Sequence, residues 1–144
     1  MFRKLSLLAV TAHLPVACSS FGGEVSGVFY YVQLQQSQQS SVCMELASDL
    51  SASFPLRVVD QVLPTRPSGQ CIVDLDNKGQ APRILTTIVW DPGNRRFSLR
   101  VWGSGQEGIS TARELAPQFI AIARKRFPDA VITNYKPTFS LLGP

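Results

Sequence analysis

Asp74 and Asp76 are the residues whose types and spacing come nearest to those of a catalytic pair. They lie two positions apart in residues 71–76, a segment with the two-residue period of a β-strand, so both carboxylates share one face. Such a pair could act as general acid and base or supply two calcium ligands. We favour a solvent-facing strand in which Asp76 opens a turn, and we expect no catalytic residue, no metal site and no cofactor.

Gly103 to Gly108 has the spacing G-x-G-x-x-G of a phosphate-binding loop. It follows a predicted strand and precedes a predicted helix, as in dinucleotide-binding proteins. However, it comes after a β-hairpin, and no parallel strand follows it. We therefore interpret these glycines as a flexible loop.

A candidate binding patch follows from the predicted hairpin of residues 83–90 and 96–102. With its turn centred on Pro92-Gly93, Arg100 lies opposite Leu85 and Trp102 opposite Arg83. Arginine and tryptophan are frequent anchor residues of interfaces. The alternative is a sheet face that is solvated or covered by the N-terminal strand or the tail. The predicted patch consists of Arg83, Leu85, Arg96, Arg100 and Trp102.

The first 17 residues have the features of a signal peptide. Arg3 and Lys4 precede an apolar stretch that begins at Leu5 and is interrupted by His13 and Pro15. A membrane-spanning helix needs about 20 apolar residues, and this stretch is shorter. The pattern therefore favours a cleaved export signal.

Leu14-Pro15-Val16-Ala17-Cys18 resembles the lipobox of bacterial lipoproteins, although Pro15 stands where that motif usually has leucine. The resemblance implies that Cys18 carries acyl chains such as palmitate and becomes the first residue of the mature protein, anchored in the lipid bilayer. In lipoproteins a serine in the position of Ser19 does not signal inner-membrane retention, which favours the outer membrane, facing the periplasm. The alternative is ordinary secretory cleavage near Ala17, with Cys18 left as a thiol.

Removal of residues 1–17 changes the chemistry that remains. The basic residues fall from 14 to 12 against ten acidic ones, so the net charge falls from +4 to +2. That balance argues against nucleic acid as a partner. The only histidine also leaves, which excludes nucleophile systems that depend on histidine.

Cys43 and Cys71 then remain as an even pair in an oxidising compartment. We predict a disulfide between them; the alternative is two buried free thiols.

The periodicity predicts an α+β fold, a two-layer sandwich of a four- to five-stranded antiparallel sheet and two helices in the order β-α-β-β-β-β-α. A further short strand is possible at residues 131–135. The first helix carries an apolar stripe from Cys43 to Phe54, and the second starts at Ser110 or Thr111 with a capping box at Thr111 and Glu114. Residues 18–27 form a flexible tether, residues 28–136 one domain and residues 137–144 a tail.

These features predict a membrane-anchored envelope lipoprotein that acts as a non-enzymatic accessory or assembly protein and binds another envelope protein or an anionic polymer. The element order is similar to that of accessory lipoproteins of outer-membrane assembly and transport. The alternatives are a module that binds glycan, peptidoglycan or lipid and, least favoured, an enzyme that uses Asp74 and Asp76. Arg124-Lys125-Arg126 is interpreted as a basic helix end that complements the helix dipole.

Overall fold

The computed structural model describes residues 25–36, 38, 41–62, 69–77 and 79–136. The predicted signal peptide, the lipobox with Cys18 and the tail of residues 137–144 lie outside the described residues. The elements are β1 (Val25–Gln33), α1 (Val42–Ser53), β2 (Arg57–Val62), β3 (Cys71–Asp76), β4 (Ile84–Asp91), β5 (Arg96–Ser104), α2 (Gly105–Arg126) and β6 (Val131–Tyr135).

The predicted α+β class is confirmed, but the sheet has six strands instead of four or five. Its order is β2-β3-β4-β5-β1-β6, and all neighbours are antiparallel. β6 was only a possible strand in the prediction because it is a short edge strand whose side chains are mostly exposed. β1 begins at Val25, so residues 25–27 of the predicted tether belong to the sheet.

Both helices pack on the same face of the sheet. α2 contacts β5 and β1, whereas α1 contacts β3, β4 and β2. Between them lies a core built from alternate residues of the strands and one stripe of each helix. Its largest fully buried side chains include Trp90, Phe97, Phe119, Leu46 and Leu50. Neither helix among the described residues is long and apolar enough to cross a membrane.

α1 buries the predicted stripe from Cys43 to Leu50 and ends at Ser53, so Phe54, the last predicted member, lies just beyond the helix. Phe54 precedes Pro55 and has φ −135° and ψ 154°, the extended conformation that a following proline favours. The hydroxyl of Ser41 donates to the carboxylate of Glu45 at 3.3 Å. It makes no hydrogen bond to the helix backbone, so Ser41 does not cap α1 through its side chain.

The predicted disulfide between Cys43 and Cys71 is present, and it joins α1 to β3. Both cysteines are completely buried, and their Cα atoms are 6.5 Å apart. The bond closes a loop with a sequence separation of 28 residues. In the chain-entropy model such a closure stabilises the fold by about 3–4 kcal/mol.

α2 begins at Gly105, five residues before the earlier of the two predicted starts. The predicted capping box is wrong, because Thr111 lies inside the helix. The predicted glycine loop is wrong too: Gly105, with a φ of +68°, turns the chain from β5 directly into α2. Pro117 lies within the helix on its exposed side, where it removes one backbone donor.

Gly103 and Gly108 bring the end of β5 against the first turns of α2. A Cβ on Gly103 would overlap the carbonyl group of Gly108. Since the obstacle is backbone and not a side-chain end, it cannot rotate away. Glycine at position 103 is therefore required for the sharp return of α2 onto the sheet.

Gly103→Ala is expected to lower the free energy of unfolding by about 1–3 kcal/mol, the usual cost of overpacking. The control is Gly93→Ala in the β4–β5 turn, where the nearest atom to a new Cβ is a carboxylate oxygen 3.5 Å away. Urea unfolding followed by circular dichroism measures both variants. Equal stability of Gly103→Ala and the wild type would show that the strand and helix are not in close contact.

Candidate functional site

One face of the sheet carries neither helix, and we call it the open face. Its residues alternate with those of the core along each strand, and the antiparallel registers align them in rows. The open-face residues of the three strands β5, β1 and β6 include Arg96, Ser98, Arg100, Trp102, Phe29, Tyr31 and Tyr135. β4 contributes Leu85, Thr87, Val89 and Asp91, and β3 contributes Ile72, Asp74 and Asp76.

The predicted register of the β4–β5 hairpin is wrong by two residues. Trp102 pairs with Leu85 and Arg100 pairs with Thr87, because the connection has four residues, Pro92–Arg95, instead of a turn centred on Pro92-Gly93. Arg95 takes the positive φ of 50°, the role expected of the glycine. A shift of two residues keeps each side chain on its original face, so the predicted patch residues on the two strands still share the open face.

Four aromatic side chains pack together on this face. Trp102 meets Phe29 edge to face, with ring centroids 4.6 Å apart, and Phe29 lies 5.7 Å from Tyr135. The rings of Tyr31 and Tyr135 are stacked at 3.9 Å, with only 7° between their planes. Phe29 is 7% exposed although no helix covers it. These four side chains form a continuous aromatic surface, and we call them the aromatic cluster.

Two arginines flank the aromatic cluster. The guanidinium of Arg96 lies over the ring of Tyr31 at 4.1 Å, a cation–π arrangement, and 4.0 Å from the carboxylate of Asp91. Hydrogen bonds from Asn94 lower the pKa of Asp91, so this carboxylate is ionised at neutral pH. Arg100 donates from Nε to the hydroxyl of Ser98 at 3.1 Å and to that of Tyr135 at 3.3 Å.

The remaining predicted patch residue, Arg83, lies at the β3–β4 end of the sheet. It pairs with Asp76 at 3.3 Å and precedes β4. The structure therefore brings Leu85, Arg96, Arg100 and Trp102 together on the open face.

Sequence reasoning missed the members contributed by β1 and β6. The feature of the sequence that could have revealed the β1 members is the alternation of Phe29 and Tyr31 with core residues. It places two aromatic rings on one face of the strand that pairs with β5.

The expectation that Asp74 and Asp76 face solvent is wrong for Asp76, which is only 2% exposed. Asp74 is half-buried, and its Oδ1 is buried without a hydrogen-bond partner in the described part of the chain. Within those same residues, no three His, Cys, Asp or Glu side chains form a group that could hold a metal ion. Asp76 is therefore held in an ion pair with Arg83, and the two carboxylates do not surround a common position for a substrate.

The basic end of α2 is engaged in holding the helices together. Arg126 donates to Glu45 at 2.8 Å and from two nitrogens to Asp49, and these contacts lower the pKa of Asp49. Beside them is a polar cleft of about 440 Å³ lined by Ser53, Ile122 and Lys125, among others. Arg126 thus has a structural role, which leaves the open face as the candidate site.

Comparison with known proteins identifies no relative. No protein-family model, no curated protein and no solved structure matches the chain. The functional argument therefore rests on the chemistry of the open face.

Asp49→Asn tests the ion pair between the helices. Because folding lowers the pKa of Asp49, its contribution is complete well above the unfolded pKa and disappears as the pH falls through the folded pKa. At pH 7 the variant is expected to be less stable by about 0.2–1 kcal/mol, the range for exposed pairs. The difference should shrink steadily as the pH is lowered from about 4, the ordinary pKa of an aspartate, to about 2.

Thermal unfolding between these pH values measures the effect, with Glu114→Gln on the exposed side of α2 as the control. A stability difference that persists unchanged at low pH would contradict an electrostatic role for Asp49.

Proposed function

We propose that this chain is a lipid-anchored protein of the bacterial cell envelope that binds an envelope component through the open face and catalyses no reaction. The observation that carries the proposal is the aromatic cluster with Arg96 and Arg100 on a sheet face that neither helix covers. Aromatic and arginine side chains are enriched in binding surfaces, and here they are already ordered before a partner arrives.

The proposed location rests on the lipobox-like residues that end at Cys18, with Ser19 favouring the outer membrane. The buried Cys43–Cys71 disulfide supports export, because disulfides persist in oxidising compartments such as the periplasm. Acyl chains on Cys18 would hold the domain at the bilayer and leave the sheet to meet its partner in the periplasm.

A binding role agrees better with the titratable groups than a catalytic one. The chain after Cys18 has no histidine, and Asp76 is engaged with Arg83. The aromatic cluster, in contrast, combines apolar area with hydrogen-bonding groups, the composition of a recognition surface. We therefore assign the open face to recognition of an envelope component and expect neither nucleic acid nor a cofactor to take part.

The lipid anchor is tested by the intact mass of the protein isolated from bacterial membranes. The expected mass is that of residues 18–144 plus acyl chains, and Cys18→Ser should abolish this modification. An unmodified thiol at Cys18, or retention of residues 1–17, would contradict the anchor.

The binding face is tested by photo-cross-linking in intact cells. A photoreactive residue at Thr87, which lies on the open face next to Arg100, is expected to form an adduct with an envelope component. The same residue at Gln118, exposed on α2, is the matched control and should form none. Trp102→Ala should reduce the Thr87 adduct by about tenfold or more, the size of an interface anchor, and Trp102→Phe should retain most of it.

Adducts from Gln118 alone, or none from either position in a correctly folded protein, would refute the open face as the binding surface.

A further inference from the structure

We infer that the ligand of the open face is a carboxylate-bearing glycan, whose carboxylate binds Arg100 and whose sugar ring stacks on Trp102. This inference rests on the proposed function, in which the open face is the binding surface. It goes further by naming the ligand class and the residues that select it.

Arg100 is held in place by neutral groups, which leaves its charge available. Both of its hydrogen bonds use Nε, to the hydroxyls of Ser98 and Tyr135, and those hydroxyls bind each other at 2.7 Å. Arg100 forms no ion pair within the described residues. Nη1 and Nη2 therefore remain for a ligand, and a carboxylate matches such a pair of donors.

Trp102 supplies a flat apolar surface beside that charge. Its partner across the strands is Gly27, and a Cβ on Gly27 would lie only 3.2 Å from the indole, so the ring occupies space that a side chain would take. Phe29 supports the indole edge to face. Trp102 and Arg100 are two residues apart on β5, roughly 7 Å along the strand, which suits a sugar ring on the indole with its carboxylate on Arg100.

Arg100, unlike Arg83 and Arg96, has no carboxylate partner among the described residues. Arg83 is paired with Asp76, and Arg96, roughly 13 Å from Arg100 along β5, lies 4.0 Å from the carboxylate of Asp91. Asp74 on β3 disfavours an anion on that side of the open face, so an anionic ligand is drawn to Arg100 beside the aromatic cluster.

The geometry favours a glycan over an acidic peptide. Extended peptides usually bind by adding to a sheet edge, helical ones bind in apolar grooves, and acidic motifs bind clusters of arginines. Of the two arginines on β5, Arg96 is already paired with Asp91, so β5 offers no such cluster. Arg100 and Trp102 instead lie on β5, whose backbone already pairs with β4 and β1 on its two sides. This region offers a peptide no unpaired strand, whereas a sugar needs only a flat ring surface and polar groups beside it.

The test is calorimetric titration of the full chain with trigalacturonate, its methyl ester and hexaglutamate. We expect saturable binding of trigalacturonate, and binding of the ester and of the peptide at least about tenfold weaker. Arg100→Gln should weaken trigalacturonate binding by about tenfold or more and remove the preference for the acid over the ester. Arg113→Gln, at an exposed position of α2, is the matched control and should change nothing.

Tyr135→Phe tests the positioning of Arg100, since it removes one hydroxyl and keeps the ring. It should weaken trigalacturonate binding by about three- to fivefold, the effect of one hydrogen bond, and affect ester binding little. A purely structural role would weaken both ligands equally and would contradict positioning of Arg100 by Tyr135.

The inference is wrong if the folded protein does not bind trigalacturonate, or if it binds the ester or hexaglutamate as tightly as trigalacturonate. It is also wrong if Arg100→Gln leaves the affinity for trigalacturonate unchanged. If the Thr87 cross-link persists in that case, the open face still binds an envelope component and only the glycan assignment fails. If the cross-link is lost too, the proposed function fails with it.

Discussion

Burial on one face of the sheet is the constraint on which the structure depends. Both helices pack on the same side, because the apolar residues of the strands alternate and the stripes of α1 and α2 have only that face to cover. The return of α2 onto this side depends on the backbone contact between Gly103 and Gly108. The disulfide between Cys43 and Cys71 attaches the other helix to the same face.

The same constraint explains the unusual content of the open face. With no helix to cover Phe29, its burial comes from neighbouring side chains such as Trp102 and Tyr135. The hydroxyl of Tyr135 in turn orders Ser98 and Arg100. These side chains are attached to paired strands, so the surface is preorganised and loses little side-chain freedom when it binds. The proposed recognition by this surface requires no rearrangement of the core.

Much of the fold could be predicted from local patterns, since alternation and helical periodicity report which residues are buried. The disulfide between Cys43 and Cys71 was predicted from the expectation that Cys18 carries acyl chains, which leaves these two cysteines as an even pair. Features set by contacts distant in sequence were missed. The hairpin register depended on Arg95, a residue without the usual preference for positive φ, and the early start of α2 depended on Gly103 meeting Gly108.

In the candidate site, too, residues that are close in the chain were predicted and residues that are distant in the chain were missed. The open-face members of one hairpin were predicted, because β4 and β5 are consecutive in the chain. Tyr31 and Tyr135 were not predicted, because they reach the site only through the pairing of β1 with β5 and β6. These pairings join residues more than sixty positions apart, and no local pattern reports them.

Hydroxyl-radical footprinting of the protein in intact envelopes tests most directly whether the open face is occupied. Compared with the purified protein, Tyr31, Trp102 and Tyr135 are predicted to be protected in the envelope. Tyr30, which packs towards the core from the opposite face of β1, should react equally in both. Equal reactivity of the three open-face residues in the two preparations would contradict the account.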